Sequence, residues 1–487
     1  MAMPDNAPAH KLSQREVRSI ILGLLTAMFP AALDSTVMGP AMPTIGREIG
    51  NIEHLPWVMT GYLLMSTAAT PLYGKLSDIY GRRLLLLAAI SIFALGSLLC
   101  AVSPNMIALA LARAVQGIGG GGLVSLCITI IGDIVPVRER PRYQIYTTAM
   151  WAASSLAGPV LGGYLAERWH WSWIFWINVP ICLVAYLLTG SKLKNLPRHE
   201  RPHKLDFAGA ILLVVSSVAL QFAFTSGGSR YPWLSVEILS LLALGFATAA
   251  LLVWRLMTAE EPLIPIALLR NKVVLIGSAA AGLAAGVFIA LTIYVPIYFE
   301  NALGYTATGS GLALVPLMIG TTLGAMGAGK VMMMVKHYRF VPIAGLGIAV
   351  VCLTPLFLFP LGLPMWLIQI LFGLGSMGIG TSFPVSMISV QNAVALHQLG
   401  TATSTVSFAR NFGSAIGVAV FGAIVINGGA TMASSGEGVM VSGAAFAEIF
   451  RWIFGASIIG LLMGIGVLWQ MPENPLGRRG DSKAFRK

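Results

Sequence analysis

Charged residues are scarce in this chain of 487 residues: Asp, Glu, Lys and Arg make up only 10%, against roughly 25% in soluble proteins. Cysteine is scarcer still. Its four copies all lie in apolar stretches without metal-ligand or CxxC spacing, which excludes a disulfide-stapled scaffold and predicts buried, inert thiols. Hydrophobic residues make up 56% and the mean hydropathy is +0.80. A soluble globule cannot bury so much apolar surface, so the composition predicts a polytopic membrane protein.

The sequence also lacks the usual signatures of catalysis. It has no HExxH, GxSxG or Walker A motif, and its seven histidines, mostly in tails or loops, show no ligand spacing. No segment is long enough for a soluble nucleotide-binding domain. We therefore predict that the protein is not an enzyme, holds no metal or cofactor, and draws energy from an ion or solute gradient.

Long apolar runs without period-2 alternation predict membrane-spanning helices and exclude a β-barrel. Each candidate run approaches the roughly 20 residues that a helix needs to cross the hydrocarbon core. The predicted fold class is an all-α polytopic membrane protein with fourteen transmembrane helices. The candidates are 19–39, 57–73, 84–102, 106–132, 143–165, 172–190, 206–226, 235–256, 274–299, 310–332, 341–360, 364–390, 402–427 and 449–470.

The basic residues orient these helices. If both termini are cytoplasmic, the cytoplasmic segments hold 25 of the 31 Lys and Arg residues and the outer side holds four. This asymmetry predicts an N-in, C-in topology with an even number of helices. The same asymmetry explains the pI of 9.7, because the excess basic residues serve to orient the helices. We therefore predict a lipid bilayer, and no nucleic acid, as a partner. The first apolar run follows basic residues without a small-residue cleavage site, so we expect it to be retained.

The chain also shows a weak internal repeat. Gly74-Lys75 follows the second candidate span and Gly329-Lys330 follows the tenth, and each pair opens a basic loop. Six helices, two inserted helices and six more would place these loops in equivalent positions. We predict an N-terminal six-helix bundle at 1–190, a basic linker with two inserted helices at 191–272, and a C-terminal bundle with a cytoplasmic tail at 273–487.

Three ionisable residues lie deep in candidate spans, where each costs roughly 2.5–3.5 kcal/mol on insertion scales. Asp34 is the one deep acid, and Arg113 and Arg410 are the deep cations. Burial disfavours a charged carboxyl while a nearby arginine favours it, so Asp34 is suited to carry a proton. The alternative for Asp34 is a structural ion pair.

Arginine stays charged and cannot carry the proton itself. Arg113, which precedes the glycine run 119–122, either influences the coupling acid or only organises a polar network. Arg410 lies either at a central cavity or in a structural position. In the fifth span, Gly158-Pro159 and Gly162-Gly163 indicate either a bend that gates a pathway or close helix packing.

The stretch 74–83, GKLSDIYGRR, resembles the signature loop between the second and third helices of the major facilitator superfamily. Glycines permit a tight turn there, and the acid and arginines can form a charge network at cytoplasmic helix ends. Breaking that network would favour one face of a transporter over the other. The residues assigned to this gating motif are Gly74, Asp78, Gly81, Arg82 and Arg83.

Further matches are similar to the fourteen-helix drug:proton antiporter branch of that superfamily. They are the first-helix stretch 33–37, LDSTV, the fourth-helix Arg113 with Gln116-Gly117, and the stretch 158–163, GPVLGG, followed by 173–180, WIFWINVP. The sequence departs from the family pattern at 38–40, where Met-Gly-Pro stands in place of the usual run of small residues ending in Asn-Val-Ala. It also departs at Ser154 and Ser155, where glycine is common. The second loop, 329–334, keeps little of the signature.

The resemblance implies two six-helix bundles flanking a central cavity and alternating-access export of lipophilic or cationic drugs, driven by proton entry. Asp34 and Arg113 would couple the proton, and Gly158, Pro159, Gly162 and Gly163 would form the antiporter motif. The C-terminal half has no additional in-span acid, which favours monocationic, neutral or zwitterionic substrates over dications. The polar or adaptable residues proposed for the cavity are Met38, Tyr294, Tyr298, Arg410 and Asn411.

Two alternatives remain at this stage. One is a dedicated exporter or importer of a single metabolite in the same fold, and the other is a non-transporting membrane sensor. We expect a protein that acts as a monomer, with a small-molecule substrate and protons as its partners. The branch is typical of the bacterial inner membrane, although fungi also use it.

Overall fold

Helices dominate the computed structural model of the chain. It describes residues 14–50, 54–136, 139–193, 206–228, 230–305, 307–335, 337–434 and 443–473. Within these ranges the only bridge of β type pairs Gly227 with Tyr231. The predicted all-α class is therefore confirmed. Most of the basic linker and the C-terminal tail, at 194–205 and 474–487, lie outside the described residues.

Fourteen long helical segments are numbered here in chain order. The first six are α1 Gln14–Ile49, α2 Leu55–Tyr80, α3 Arg82–Ala101, α4 Met106–Ile134, α5 Arg140–Arg168 and α6 Trp173–Lys192. The next two, in the predicted insertion, are α7 Phe207–Ser226 and α8 Val236–Thr258. The last six are α9 Lys272–Ile297, α10 Val315–Met334, α11 Phe340–Leu358, α12 Met365–Asn392, α13 Leu399–Ser434 and α14 Gly443–Trp469.

Twelve of the helices in the described ranges are long and apolar enough to cross a membrane. The two that fall short in hydropathy, α2 and α5, contain 26 and 29 residues and are long enough. They face protein on several sides, which lowers the need for apolar residues. The number of membrane-spanning helices, fourteen, therefore stays a prediction.

Local sequence explains where several helices begin and turn. Asn105 caps α4, because its side-chain oxygen accepts a hydrogen bond from the Ala108 amide at 2.8 Å. Gly81 connects α2 to α3 with φ of 91°, a left-handed conformation that residues with a side chain rarely adopt. The sharp turn this allows holds the end of α2 beside the start of α3.

Three apolar cores organise the helices. One lies entirely between Leu33 and Phe175 and joins α1 to α6 at their outer ends. A second lies entirely between Val273 and Met471 and joins α9 to α14. The third contains residues from both ends of the chain, including Leu24 and Val406, and also Leu213 of α7 and Leu252 of α8. The predicted division at 1–190, 191–272 and 273–487 is compatible with these cores and stays a prediction.

The inserted pair is fixed to both halves. Asp206 caps α7 by accepting from the Gly209 amide at 3.0 Å and pairs with Arg255 of α8 at 3.1 Å. Near the outer end of α7, Phe222 stacks on Trp57 of α2, with ring centroids 4.7 Å apart. Helix α7 therefore lies along the junction between the halves.

Candidate functional site

Asp34 of α1 and Arg113 of α4 form an ion pair inside the N-terminal half. The Nη1 of Arg113 lies 2.5 Å from Oδ2 of Asp34, although the residues are 79 positions apart. Asp34 is 3% exposed and Arg113 1% exposed. A pair so far from water survives only if its remaining donors and acceptors are satisfied.

Amide side chains complete the shell around the carboxylate. Gln116 Nε2 donates to Asp34 Oδ1 at 3.0 Å and to Ser97 Oγ at 2.7 Å, and Gln116 Oε1 accepts from Arg113 at 2.7 Å. Asn178, at the start of the main segment of α6, approaches Asp34 Oδ1 with its Nδ2 at 3.4 Å. Helices α4 and α6 therefore bind the carboxylate of α1 directly, and α3 supports it through the contact of Ser97 with Gln116.

Arg113 has further contacts that do not depend on Asp34. Its Nε donates to the Val58 carbonyl at 3.2 Å, and its guanidinium carbon lies 4.4 Å from the centroid of the Tyr62 ring. Both residues are on α2. The arginine therefore keeps a carbonyl, an amide and an aromatic face even if the charge on Asp34 is neutralised.

The glycine run after Arg113 brings these helices together. A methyl group at Gly119 would meet the backbone of Phe93 on α3, and one at Gly121 would meet the backbone of Ser66 on α2. Side chains at these positions would push the backbones apart. The close approach that the sequence predicts is thus present, and it places α2 and α3 within reach of the ion pair.

Helix α5 packs on α1 directly beside Asp34. A methyl group at Gly158 would meet the side chain of Thr36, and one at Gly162 would meet the carbonyl of Val37. Gly163, in contrast, has open space where a side chain would be. Pro159 lies within α5, which runs unbroken from Arg140 to Arg168.

We predict that Gly162→Ala destabilises the protein by about 1–3 kcal/mol, the usual cost of overpacking a tight contact. The added methyl must displace the α1 backbone at Val37, three residues from Asp34. Thermal unfolding in detergent measures the effect. Gly163→Ala is the matched control, since its methyl group meets nothing, and equal unfolding temperatures for the two variants would contradict the contact.

The gating motif lies where α2 ends and α13 begins. Asp78 accepts hydrogen bonds from the backbone amides of Gly400 and Thr401 at 3.3 and 3.0 Å, and from the Thr401 hydroxyl at 2.7 Å. We call these contacts between Asp78 and α13 the cytoplasmic seam. They join the two halves of the chain at the end that the basic residues assign to the cytoplasm.

The motif arginines support this seam from the N-terminal half. Arg82 contacts Asp78 at 2.5 Å and Asp133 of α4 at 2.8 Å. Arg83 Nε donates to the Gly190 carbonyl at the end of α6, at 3.1 Å. Close packing adds to the polar contacts, because a methyl group at Gly74 would meet the Gly400 carbonyl and the side chain of Ser404.

A second contact closes the same end. The Nη1 of Arg140, at the start of α5, lies 3.4 Å from Oε1 of Gln391, near the end of α12. Two helices of each half therefore meet at the cytoplasmic end, α2 and α5 on one side and α13 and α12 on the other.

The residues predicted for the cavity do not lie together. Arg410 is half-buried, Asn411 is exposed, and the Tyr294 hydroxyl donates to the Val418 carbonyl at 3.2 Å. Two placements need correction. Met38 is 1% exposed within the outer apolar core, and Tyr298 is fully buried.

Tyr298 packs inside the C-terminal half. It lies one turn after Tyr294, at the end of the α-helical part of α9, and a π-helical turn follows at Tyr298–Ala302. The Tyr298 hydroxyl donates to the Pro360 carbonyl at 2.6 Å, and its ring packs on Phe450 and Phe454. It belongs to the core of the C-terminal half.

Sequence reasoning missed several parts of the site. Ser97, Asn178 and Tyr62 were not predicted to meet Asp34 and Arg113. A search for in-span amides, and not only for ionisable residues, would have pointed to Asn178, while nothing in the sequence distinguishes Ser97 from other helix serines. All four cysteines are free and buried, and no group of three potential metal ligands occurs in the ranges that the structure describes.

These features define a multi-pass helical membrane protein with an acid–arginine pair buried inside its N-terminal half and a closed contact between two halves. The family profile described as Major Facilitator Superfamily matches residues 24–418. The chain belongs to this superfamily. Its family and fold are those of membrane transporters, which bind small molecules and are generally not enzymes.

Similar sequences occur in bacteria and fungi. The chain is 34% identical over 416 residues to Multidrug resistance protein 3 of Bacillus subtilis, covering 85% of this chain and 80% of that protein. It is 31% identical to Multidrug transporter protein MdtP of the same organism, covering 83% and 75%. It is also 31% identical to Efflux pump dotC of Dothistroma septosporum, covering 85% and 72%.

Solved structures of low identity share the fold. A bacterial homologue of the iron transporter ferroportin in an outward-facing state superimposes with a TM-score of 0.65 at 13% identity, covering 94% of this chain and 99% of that chain. The proton:xylose symporter XylE superimposes with a TM-score of 0.63 at 14% identity, covering 96% and 98%.

Proposed function

We propose that this protein exports lipophilic or cationic toxic compounds in exchange for protons. The observation that carries the proposal is the carboxylate of Asp34, enclosed in the membrane and held by Arg113, Gln116 and Asn178. Similarity to proteins named for multidrug resistance and efflux supports the substrate class. The bacterial relatives support placement in a bacterial inner membrane.

The contacts of Asp34 suit a proton-release and proton-uptake cycle. In the structure the arginine and the amides donate hydrogen bonds to the two oxygens of the carboxylate. Protonation would remove the charge that holds Arg113. The arginine would then keep its contacts with Gln116 and Val58, so the helices α1 and α4 become free to shift relative to each other.

Asn178 provides an acceptor for the protonated state. Its Oδ1 is buried without a hydrogen-bond partner while its Nδ2 faces the carboxylate. Rotation of the terminal amide group of Asn178 by about 180° would present its oxygen to a protonated Asp34. The same side chain would thus serve both charge states.

Alternating access links this proton to the cytoplasmic seam. The contacts of Asp78 with α13 and of Arg140 with α12 close the cytoplasmic end, so we assign the structure to a cytoplasm-closed state. In that state Asp34 takes up a proton as substrate leaves. After the seam opens, the proton is released inside and a new substrate binds. Moving one elementary charge across the membrane releases roughly 2.3 kcal/mol per 100 mV of membrane potential, so one inward proton can drive substantial export.

The test is substrate-driven proton movement in proteoliposomes with a defined pH gradient, an internal pH dye and a panel of lipophilic monocations and zwitterions. Antiport predicts that adding a substrate dissipates the gradient, with proton and substrate moving in opposite directions. Liposomes without protein are the control. Movement of both in the same direction would indicate an importer, and substrate flux without a proton signal would contradict the coupling.

A further inference from the structure

We propose that Arg410 of α13 binds an anionic group of the substrate, a carboxylate or a group of similar charge and shape. This inference rests on the proposed export function and favours, among lipophilic substrates, those that carry an anionic group, zwitterions included. It comes from the difference between the two arginines that lie deep in the membrane.

Arg113 is satisfied by the protein, and Arg410 is not. The guanidinium of Arg410 has no hydrogen-bond or ion-pair partner among the residues that the structure describes. Its Nε is buried and donates to no acceptor there. Its one specific contact is with Phe383 of α12, whose ring centroid lies 4.8 Å from the guanidinium carbon. A guanidinium has five N–H donors, so most of its binding capacity is unused.

No acid in the described part of the C-terminal half pairs with Arg410. The acids after residue 272 are Glu300, Glu437, Glu448, Glu473 and Asp481. Of these, Glu300 accepts from Ser310, Glu448 pairs with Arg451, and Glu473 contacts His337 and Arg339. Glu437 and Asp481 lie outside the described ranges and outside the predicted spans. The described residues of the C-terminal half therefore supply no counter-charge for this mid-membrane arginine, and a bound anion would provide one.

The packing of α13 shows which way this part of the helix faces. Its neighbours Ala409 and Gly413 contact α9, and Phe412 contacts Phe224 of α7. About two and three turns nearer the cytoplasm than Arg410, Ser404 and Gly400 contact α2 of the other half.

Positions 400, 404, 407 and 411 recur every three or four residues and share the face turned toward the N-terminal half. Arg410 is adjacent to this face, between it and Phe383. Arg410 is half-buried, and Asn411 next to it is exposed. The guanidinium is therefore reachable from the space between the halves.

The surroundings define the chemistry of the ligand. Phe383, whose ring lies against the Arg410 guanidinium, also contacts Phe288 at 6.2 Å between ring centroids. An aromatic or aliphatic body fits against these rings while a carboxylate accepts two parallel hydrogen bonds from the guanidinium. A second positive charge on the ligand near this point would be repelled.

The experiment compares naphthylacetic acid with naphthylacetamide, which has nearly the same shape without the charge. Dissociation constants are measured by calorimetry on the full-length protein in a neutral detergent, so that lipid phosphates do not compete. Wild type should bind the acid more tightly than the amide. Arg410→Gln should weaken binding of the acid roughly 10- to 100-fold and binding of the amide less than about threefold, with Arg410→Lys in between.

Arg451→Gln is the matched control, because Arg451 also lies over a phenylalanine ring but pairs with Glu448 at the surface. Equal loss of acid and amide binding in Arg410→Gln would show a structural role and overturn the proposal. Unchanged binding of the acid, or wild type binding acid no better than amide, would also overturn it. The binding assay does not depend on proton coupling, so failure of antiport in proteoliposomes is a separate result.

Discussion

Asp34→Asn is expected to abolish substrate-driven proton movement, a loss of at least about 100-fold, because asparagine keeps the shape of the side chain but cannot bind or release a proton. Gln116 and Asn178 can still contact the new amide, so the site need not collapse. The same proteoliposome assay measures the effect. Asp206→Asn is the matched control: Asp206 is also a buried acid paired with an arginine, but it lies at the start of α7, far along the chain from the proposed path.

The two members of the pair should behave differently when they are removed singly and together. Either Asp34→Asn or Arg113→Gln leaves one uncompensated buried charge, at an expected cost of about 3–5 kcal/mol. The double variant has no buried charge and should recover most of that stability, while proton coupling stays lost. Thermal unfolding of the four proteins forms the cycle. Coupled transport in Asp34→Asn, or additive destabilisation in the double variant, would contradict the assignment.

The sequence predicted which residues carry charge in the membrane but not where they meet. Asp34, Arg113 and Arg410 were found because ionisable groups are costly in hydrocarbon. That Asp34 pairs with Arg113 and not with Arg410 depends on how α1 and α4 pack, which the glycines of α4 permit but do not specify. The partners of Asp78 were equally hidden, because the amides of Gly400 and Thr401 belong to the backbone and leave no mark on the sequence.

Errors in the sequence analysis came from features that residue type and hydropathy do not encode. Tyr298 was proposed for the cavity as a polar residue, but its hydroxyl donates to the Pro360 carbonyl and its ring packs on Phe450 and Phe454. The second predicted span ended at residue 73, whereas α2 continues to Tyr80. Its last turn carries polar residues that pair with α3 and α13, so hydropathy alone stops the helix too early.

Asp78→Asn is expected to open the cytoplasmic seam. The carboxylate accepts from two backbone amides, one hydroxyl and Arg82, and bonds to a charged acceptor contribute roughly 1.5–3 kcal/mol each, not additively. Asparagine retains one acceptor oxygen and the size of the side chain. We expect a net loss of about 2 kcal/mol, which is roughly a 30-fold shift of the closed-to-open ratio.

Hydrogen–deuterium exchange measures this shift directly, because the amides of Gly400 and Thr401 are the donors to Asp78. Exchange in a peptide spanning 396–405 should accelerate in Asp78→Asn, and transport should fall because the closed state is no longer reached efficiently. Asp133→Asn is the matched control, since Asp133 also binds Arg82 but lies on α4 within the same half. It should perturb α3 and α4 while leaving the amides of α13 protected. Equal acceleration in the two variants would mean that Arg82, and not the direct contacts of Asp78 with α13, closes the seam.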